Sequence, residues 1–210
     1  MQNHWQGKLW YAYGTSMTTE QMGEYVPVVE ELSGLQVVNK GKPGRSLTPD
    51  GYDGGGIKKA VMDPDDGKKE ADLITLEVLP NEGAVVGDIY DTDDMSFCGC
   101  LNQCLRFLQE HTKAQIVVII MIGANSTSPG VPTQMQKITP FEFAQKIECV
   151  AKLNSVPVIN VFCESGLGYA RVKGRDYQID HIHLNRLGGI NMGNFVWSKL
   201  KDIPLWETEV

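Results

Sequence analysis

The chain has 210 residues, of which 42% are hydrophobic and 21% charged, ordinary proportions for a globular protein able to bury a sizeable core. Its formal net charge of -7 argues against a nucleic-acid partner, because phosphate backbones are bound by clustered Lys and Arg. No apolar run approaches the roughly 18 residues of a membrane span, and the first residues lack the apolar core of a signal peptide. The compartment stays open between a cytoplasm and a processed or excised secreted domain, and the chain could be a domain of a larger protein.

Residues 8–14 read as a first strand, and 18–33 as a helix opened by Thr18 or Thr19 with Glu in its early turns. A short second strand at 35–39 runs into the turn-prone stretch Lys40-Gly41-Lys42-Pro43-Gly44-Arg45-Ser46. Residues 53–69, with Gly54, Gly55 and Gly56, read as a loop and a short helix. A third strand follows at 72–79 and a helix at 95–111. Residues 115–122 are the clearest strand, since a continuous apolar run implies burial on both faces. The polar, proline-bearing stretch 124–137 reads as a surface loop. Thr139-Pro140-Phe141-Glu142 is a strong helix start. Residues 156–162 form a fifth strand and 187–201 a terminal helix. Strands alternating with helices predict a five-stranded parallel sheet with helices on both faces, in one domain spanning 1–210.

The five cysteines are odd in number and scattered. Cys149 and Cys163 are expected as buried thiols acting as small hydrophobes. Cys98, Cys100 and Cys104 lack a second ligand pair at zinc-finger spacing, so helix core packing is the better reading and no metal site is expected there.

In an open α/β sheet, ligands bind beyond the carboxyl ends of the strands. Ser16 follows strand one by two residues, Gly44 follows strand two, and Asn81 follows strand three. Asp180 and His183 come in the loop after strand five, so all five positions fall on one sheet edge. Acyl-transfer roles follow. Ser16 would attack an ester carbonyl, His183 would act as general base and then acid, and Asp180 would hold the imidazole. The oxyanion would be met by the Ser16 N–H, at a helix N-terminus, by the Gly44 N–H and by the Asn81 amide. Asn125, in Ile122-Gly123-Ala124-Asn125, is a rival to Asn81 but follows strand four.

Blander readings stand beside these. Singly, Ser16 would be a helix cap, Gly44 and Asn81 turn residues, and Asp180 a cap. His181 and His183 with Asp180 could be metal ligands. The loop 14–19 could cradle a phosphate as in flavin binders, which would leave Asp180 and His183 idle. No cofactor is expected.

The same residues resemble the SGNH hydrolases, also called GDSL-type esterases and lipases. Gly14-Thr15-Ser16-Met17-Thr18 is similar to their nucleophile block, and 39–46 to their glycine block. Residues 72–81 resemble the strand delivering their asparagine, and Asp180-x-x-His183-Leu184-Asn185 their last block. The resemblance covers about 7–200 and implies a flavodoxin-like α/β/α sandwich with metal-independent ester hydrolysis. Two positions depart: the family's aspartate before the serine is Thr15, and its Gly-x-Asn-Asp block is Leu79-Pro80-Asn81-Glu82. The expected activity is a serine esterase working through an acyl-enzyme, deacetylating a carbohydrate or another small acyl ester. Alternatives are a lipid esterase of lysophospholipase type, a thioesterase, or a catalytically weakened carbohydrate-binding domain. Polar, acidic loops at 51–56, 82–94 and 124–137 would rim the site and disfavour anionic phospholipids. Tyr52, Tyr90 and Tyr169 could stack on a sugar.

Overall fold

The computed structural model describes residues 3–20, 24–49, 55–79, 85–121, 138–167, 177 and 183–205. Five strands, β1 (Leu9–Gly14), β2 (Gln36–Gly41), β3 (Leu73–Val78), β4 (Gln115–Ile120) and β5 (Val158–Asn160), form one parallel sheet in the order β2-β1-β3-β4-β5. β3 and β4 are buried at every residue, which explains the unbroken apolar run Ile116–Ile120 of β4; β3 carries Thr75 and Glu77 among its buried residues.

Alternation along the strands feeds two cores. Tyr11, Tyr13, Ile74, Leu76, Ile116 and Val118 face one side, against α2 (Gly56–Met62), α3 (Phe97–His111) and α4 (Pro140–Leu153). Trp10, Ala12, Leu73, Val117 and Ile119 face the other, against α1 (Tyr25–Ser33) and α6 (Arg186–Leu200). The result is the expected three-layer α/β/α sandwich. Gly193 makes the α1–α6 approach possible: a Cβ there would lie 2.6 Å from the Val28 side chain. The Trp5 indole, fully buried, donates to the Leu200 carbonyl at 3.1 Å and ties the start of the chain to α6.

Three expectations are corrected. The helix expected at 18–33 begins only at Tyr25, and Ser16–Thr18 form a separate 3-10 turn. The hydroxyls of Thr18 and Thr19 bond Glu77 and the Ser16 carbonyl instead of capping a helix. Pro27 then falls in the first turn of α1, where a missing N–H is tolerated. Strand five is cut to Val158–Asn160 because the Asn160 side chain accepts from the Cys163 N–H at 2.9 Å and turns the chain into the short helix α5 (Val161–Glu164). Cys149 and Cys163 are exposed rather than buried. On α4 the buried stripe is Phe143, Ala144, Ile147, Val150 and Ala151, a helical repeat that leaves position 149 facing outward. Cys98, Cys100 and Cys104 are buried in the first core, as core packing requires. The Thr139 start is a complete capping box with Glu142.

Candidate active site

Ser16 stands just beyond the carboxyl end of β1, and His183 just before α6. Their sequence separation is 167 residues, yet His183 Nε2 lies 2.9 Å from Ser16 Oγ. The histidine is held from its C-terminal side. Leu184 is buried in the second core, and the Asn185 side chain caps α6 by accepting from the Gly188 N–H at 3.0 Å. The Asn185 N–H donates to the Tyr177 carbonyl at 2.9 Å. Gly188 must be glycine for this crossing, since a Cβ there would sit 2.6 Å from the Tyr177 oxygen.

The serine's own loop is tied from below. Glu77, the acid inside the apolar run of β3, is fully buried. Its Oε2 accepts from the Thr15 N–H at 2.6 Å, the Thr15 hydroxyl at 2.9 Å and the Thr18 hydroxyl at 3.0 Å. The Thr15 oxygen in turn accepts from the Met17 N–H at 3.2 Å. Thr18 Oγ1 lies 3.2 Å from the Tyr25 hydroxyl. Thr18 has one proton and gives it to Glu77, so Tyr25 is the donor in that pair. The Ser16 carbonyl accepts from the N–H and hydroxyl of Thr19. Among the described residues, the Ser16 N–H makes no hydrogen bond.

Burial pushes the Glu77 carboxyl up to about 7, against which the Thr15 and Thr18 hydrogen bonds pull down. Among the described residues its second oxygen, Oε1, has no partner. The same burial, with the Glu77 charge added, raises the Tyr25 hydroxyl far above its ordinary range. Sequence reasoning passed over Glu77. The signal was available: an acid within a largely apolar strand must be neutral or well bonded once the strand is buried.

β2 closes the other side. Asn39 donates to the Thr18 carbonyl at 2.8 Å and accepts from the Gly41 N–H at 2.9 Å, and the Lys42 N–H donates to the Gly14 carbonyl at 3.3 Å. Gly44 lies exposed in the following turn with φ 73°, a left-handed conformation that favours glycine. Asn81, Asp180, Asn125 and His181 lie outside the described residues, as do Tyr52 and Tyr169; Tyr90 is exposed. Directly behind Ser16 the described residues form only a single 3-10 turn, and the expected helix starts at Tyr25. A dipole from aligned peptides is therefore small at this point, and fixed hydrogen bonds position the serine instead.

A cleft of about 550 Å³ opens beside the end of β2, lined by Lys40, Gly41, Lys42, Arg45, Lys59 and Asp63 among others. Asp66 also borders it but is engaged by Lys68 at 2.8 Å and by the Tyr13 hydroxyl. Lys40, Lys42, Arg45 and Lys59 make this cleft basic, while most of the loops expected to give an acidic rim (51–54, 80–84 and 122–137) lie outside the described residues. Among the described residues, no group of three or more His, Cys, Asp or Glu could hold a metal ion.

No known family profile matches the sequence, and no curated protein matches it. Solved structures do. A protein from Lactobacillus plantarum superposes with a TM-score of 0.75 at 19% identity, covering 94% of this chain and 98% of its own. A possible lipase from Chitinophaga pinensis gives 0.69 at 16% identity, over 91% and 96%. A catalytic mutant of an acetylxylan esterase from Geobacillus stearothermophilus gives 0.63 at 11% identity, over 99% and 100%. The chain has the SGNH, or GDSL-type, hydrolase fold.

Proposed function

We propose that the protein is a serine esterase that cleaves small acyl esters through a Ser16 acyl-enzyme. The observation that carries this reading is the 2.9 Å contact between His183 Nε2 and Ser16 Oγ, formed at the sheet edge where α/β proteins bind ligands. In the tautomer protonated on Nδ1, His183 takes the Ser16 proton as Oγ adds to the ester carbonyl. The Ser16 N–H faces the oxyanion, with the Gly44 N–H and the Asn81 amide as the further donors proposed from sequence. Collapse of the intermediate passes that proton from His183 to the departing alkoxide. Water, deprotonated by the same imidazole, then attacks the acyl-enzyme; as its C–O bond breaks, His183 returns the proton to Ser16 Oγ and the acid leaves. Asp180 is the residue proposed to hold the imidazole.

We assign the alcohol portion of the ester to the basic cleft at the end of β2, lined by Lys40, Lys42, Arg45 and Lys59. Its ammonium and guanidinium groups favour a hydroxylated or anionic alcohol over a hydrocarbon tail. That supports deacetylation of a carbohydrate over lipid hydrolysis, and acetylxylan esterase among the structural neighbours supports it further. The test is hydrolysis of p-nitrophenyl esters of two to twelve carbons by wild type and Ser16→Ala, with fluorophosphonate labelling of both. Labelling and turnover confined to wild type, and falling with chain length, are expected. Full activity in Ser16→Ala would sink the mechanism, and a preference for long chains would sink the short-acyl reading.

A further inference from the structure

We propose that Glu77 is a positioning residue for the nucleophile, its buried carboxylate fixing the backbone on both sides of Ser16 through Thr15 and Thr18. The proposal rests on Ser16 being the nucleophile. Three donors converge on one oxygen, Glu77 Oε2, and they come from the residue before the serine and the residue two after it. Each hydroxyl is a relay as well as a donor. Thr15 gives its proton to Glu77 and so presents a lone pair to the Met17 N–H. Thr18 does the same toward the Tyr25 hydroxyl, which binds the 3-10 turn to α1. Ser16 therefore sits in a backbone arch whose two feet rest on one carboxylate oxygen.

The surroundings are shaped for this contact. A Cβ on Gly14 would overlap both Glu77 Oε2 and Thr18 Oγ1, and one on Gly41 would lie 2.8 Å from the Thr18 backbone. Only glycines at the ends of β1 and β2 let the strand carboxylate and the arch meet. The other oxygen, Oε1, is buried with no partner among the described residues. An acid placed for stability alone would have both oxygens satisfied or would be replaced by an apolar side chain. Here one oxygen is fully used on the arch.

Protonation state matters because an ionised carboxylate oxygen accepts three hydrogen bonds more readily than the oxygen of a neutral acid. Among the described residues, the ionisable groups joined to the arch are Tyr25, through Thr18, and His183, at Ser16. β4 offers only Ile119 at the paired position. Burial and the threonine hydrogen bonds set its titration at about 7, so the arch should tighten as Glu77 ionises.

The test compares wild type with Glu77→Gln, nearly the same shape but unable to ionise, and with Thr18→Val, which removes one foot of the arch. The readouts are kcat and KM on p-nitrophenyl acetate from pH 5 to 9, and the NMR shift of the Thr15 amide over the same range. At pH 8.5 kcat of Glu77→Gln should be lower by roughly tenfold to a hundredfold, as for a sub-ångström to 1 Å misplacement of a reacting group. KM should stay nearly unchanged. The gap should close toward pH 5, where wild type is itself protonated, and Thr18→Val should show the same kcat-only loss. The Thr15 amide should titrate in wild type and stay flat in Glu77→Gln. A kcat ratio independent of pH, or a fully active Glu77→Gln at pH 8.5, overturns the positioning role. If wild type neither hydrolyses the ester nor labels at Ser16, the esterase reading fails instead. The Thr15 titration then decides alone whether Glu77 holds the arch.

Discussion

Replacing Glu77 by Gln should make the protein less sensitive to alkaline pH, with a sign fixed by the burial of the carboxyl. That group titrates at about 7 in the folded chain against an ordinary 4.5. Between those values the folded state holds a proton that the unfolded chain has released. The stability tied to that proton is present below the unfolded value and is lost as pH rises through about 7. Each pH unit crossed between the two values removes about 1.36 kcal/mol, so the loss between pH 5 and pH 8.5 comes to roughly 2.5 kcal/mol. Glu77→Gln carries no such dependence. Urea unfolding of both proteins at the two pH values gives the comparison, and groups that titrate in both cancel in the difference. The variant should gain about 2.5 kcal/mol on wild type on going from pH 5 to pH 8.5. A gap that stays flat would show that the three donors balance burial. A gap of opposite sign would show that the three donors outweigh burial.

Other substitutions probe other parts of the molecule. His183→Ala should lower kcat on p-nitrophenyl acetate by roughly a thousandfold or more while KM moves little, since it removes the base and not the binding surface. Lys68, 2% exposed, bonds Asp66 at 2.8 Å and the Asp63 carbonyl; Lys68→Ala leaves a largely buried carboxylate without its cation and should cost about 3–5 kcal/mol in urea unfolding. Gly41→Ala forces the Thr18 backbone to move, so it should destabilise by about 1–3 kcal/mol and depress kcat as well. Thr139→Ala breaks the capping box of α4 and should cost about 1 kcal/mol with kcat unchanged, as measured by unfolding and turnover on one preparation.

The layer architecture was legible because β4 is apolar on both faces and because capping signals such as Thr139-Pro140 carry their own geometry. Boundaries were legible only where a local signal fixed them. At 18–33 the pattern of hydroxyl, acid and apolar residues imitates a helix start, and what overrides it is tertiary. Thr18 spends its hydroxyl on Glu77, 59 residues away in sequence. At strand five the apolar run 156–162 continues past the strand, and only the bond from the Cys163 N–H to Asn160 stops it. Cys149 could have been placed correctly, since the 3-4 spacing of Phe143, Ala144, Ile147 and Val150 already turns position 149 outward.

For the site, order along the chain was enough to bring Ser16 and His183 to one edge, because each follows a parallel strand and all carboxyl ends point the same way. What order could not reveal is how the serine is held. A threonine stands where the resemblance leads one to expect an aspartate, and read alone it suggests a weakened site. In the structure a buried carboxylate, Glu77, reaches that loop from β3 through Thr15. Its position has an energetic consequence. A carboxyl on a surface loop keeps its water, whereas one inside a central strand is desolvated, with its titration raised to about 7. Near-neutral pH then becomes the range over which stability and nucleophile geometry trade against each other. As Glu77 ionises the arch around Ser16 tightens while the fold loses stability, so activity and unfolding free energy should change in opposite directions across that titration.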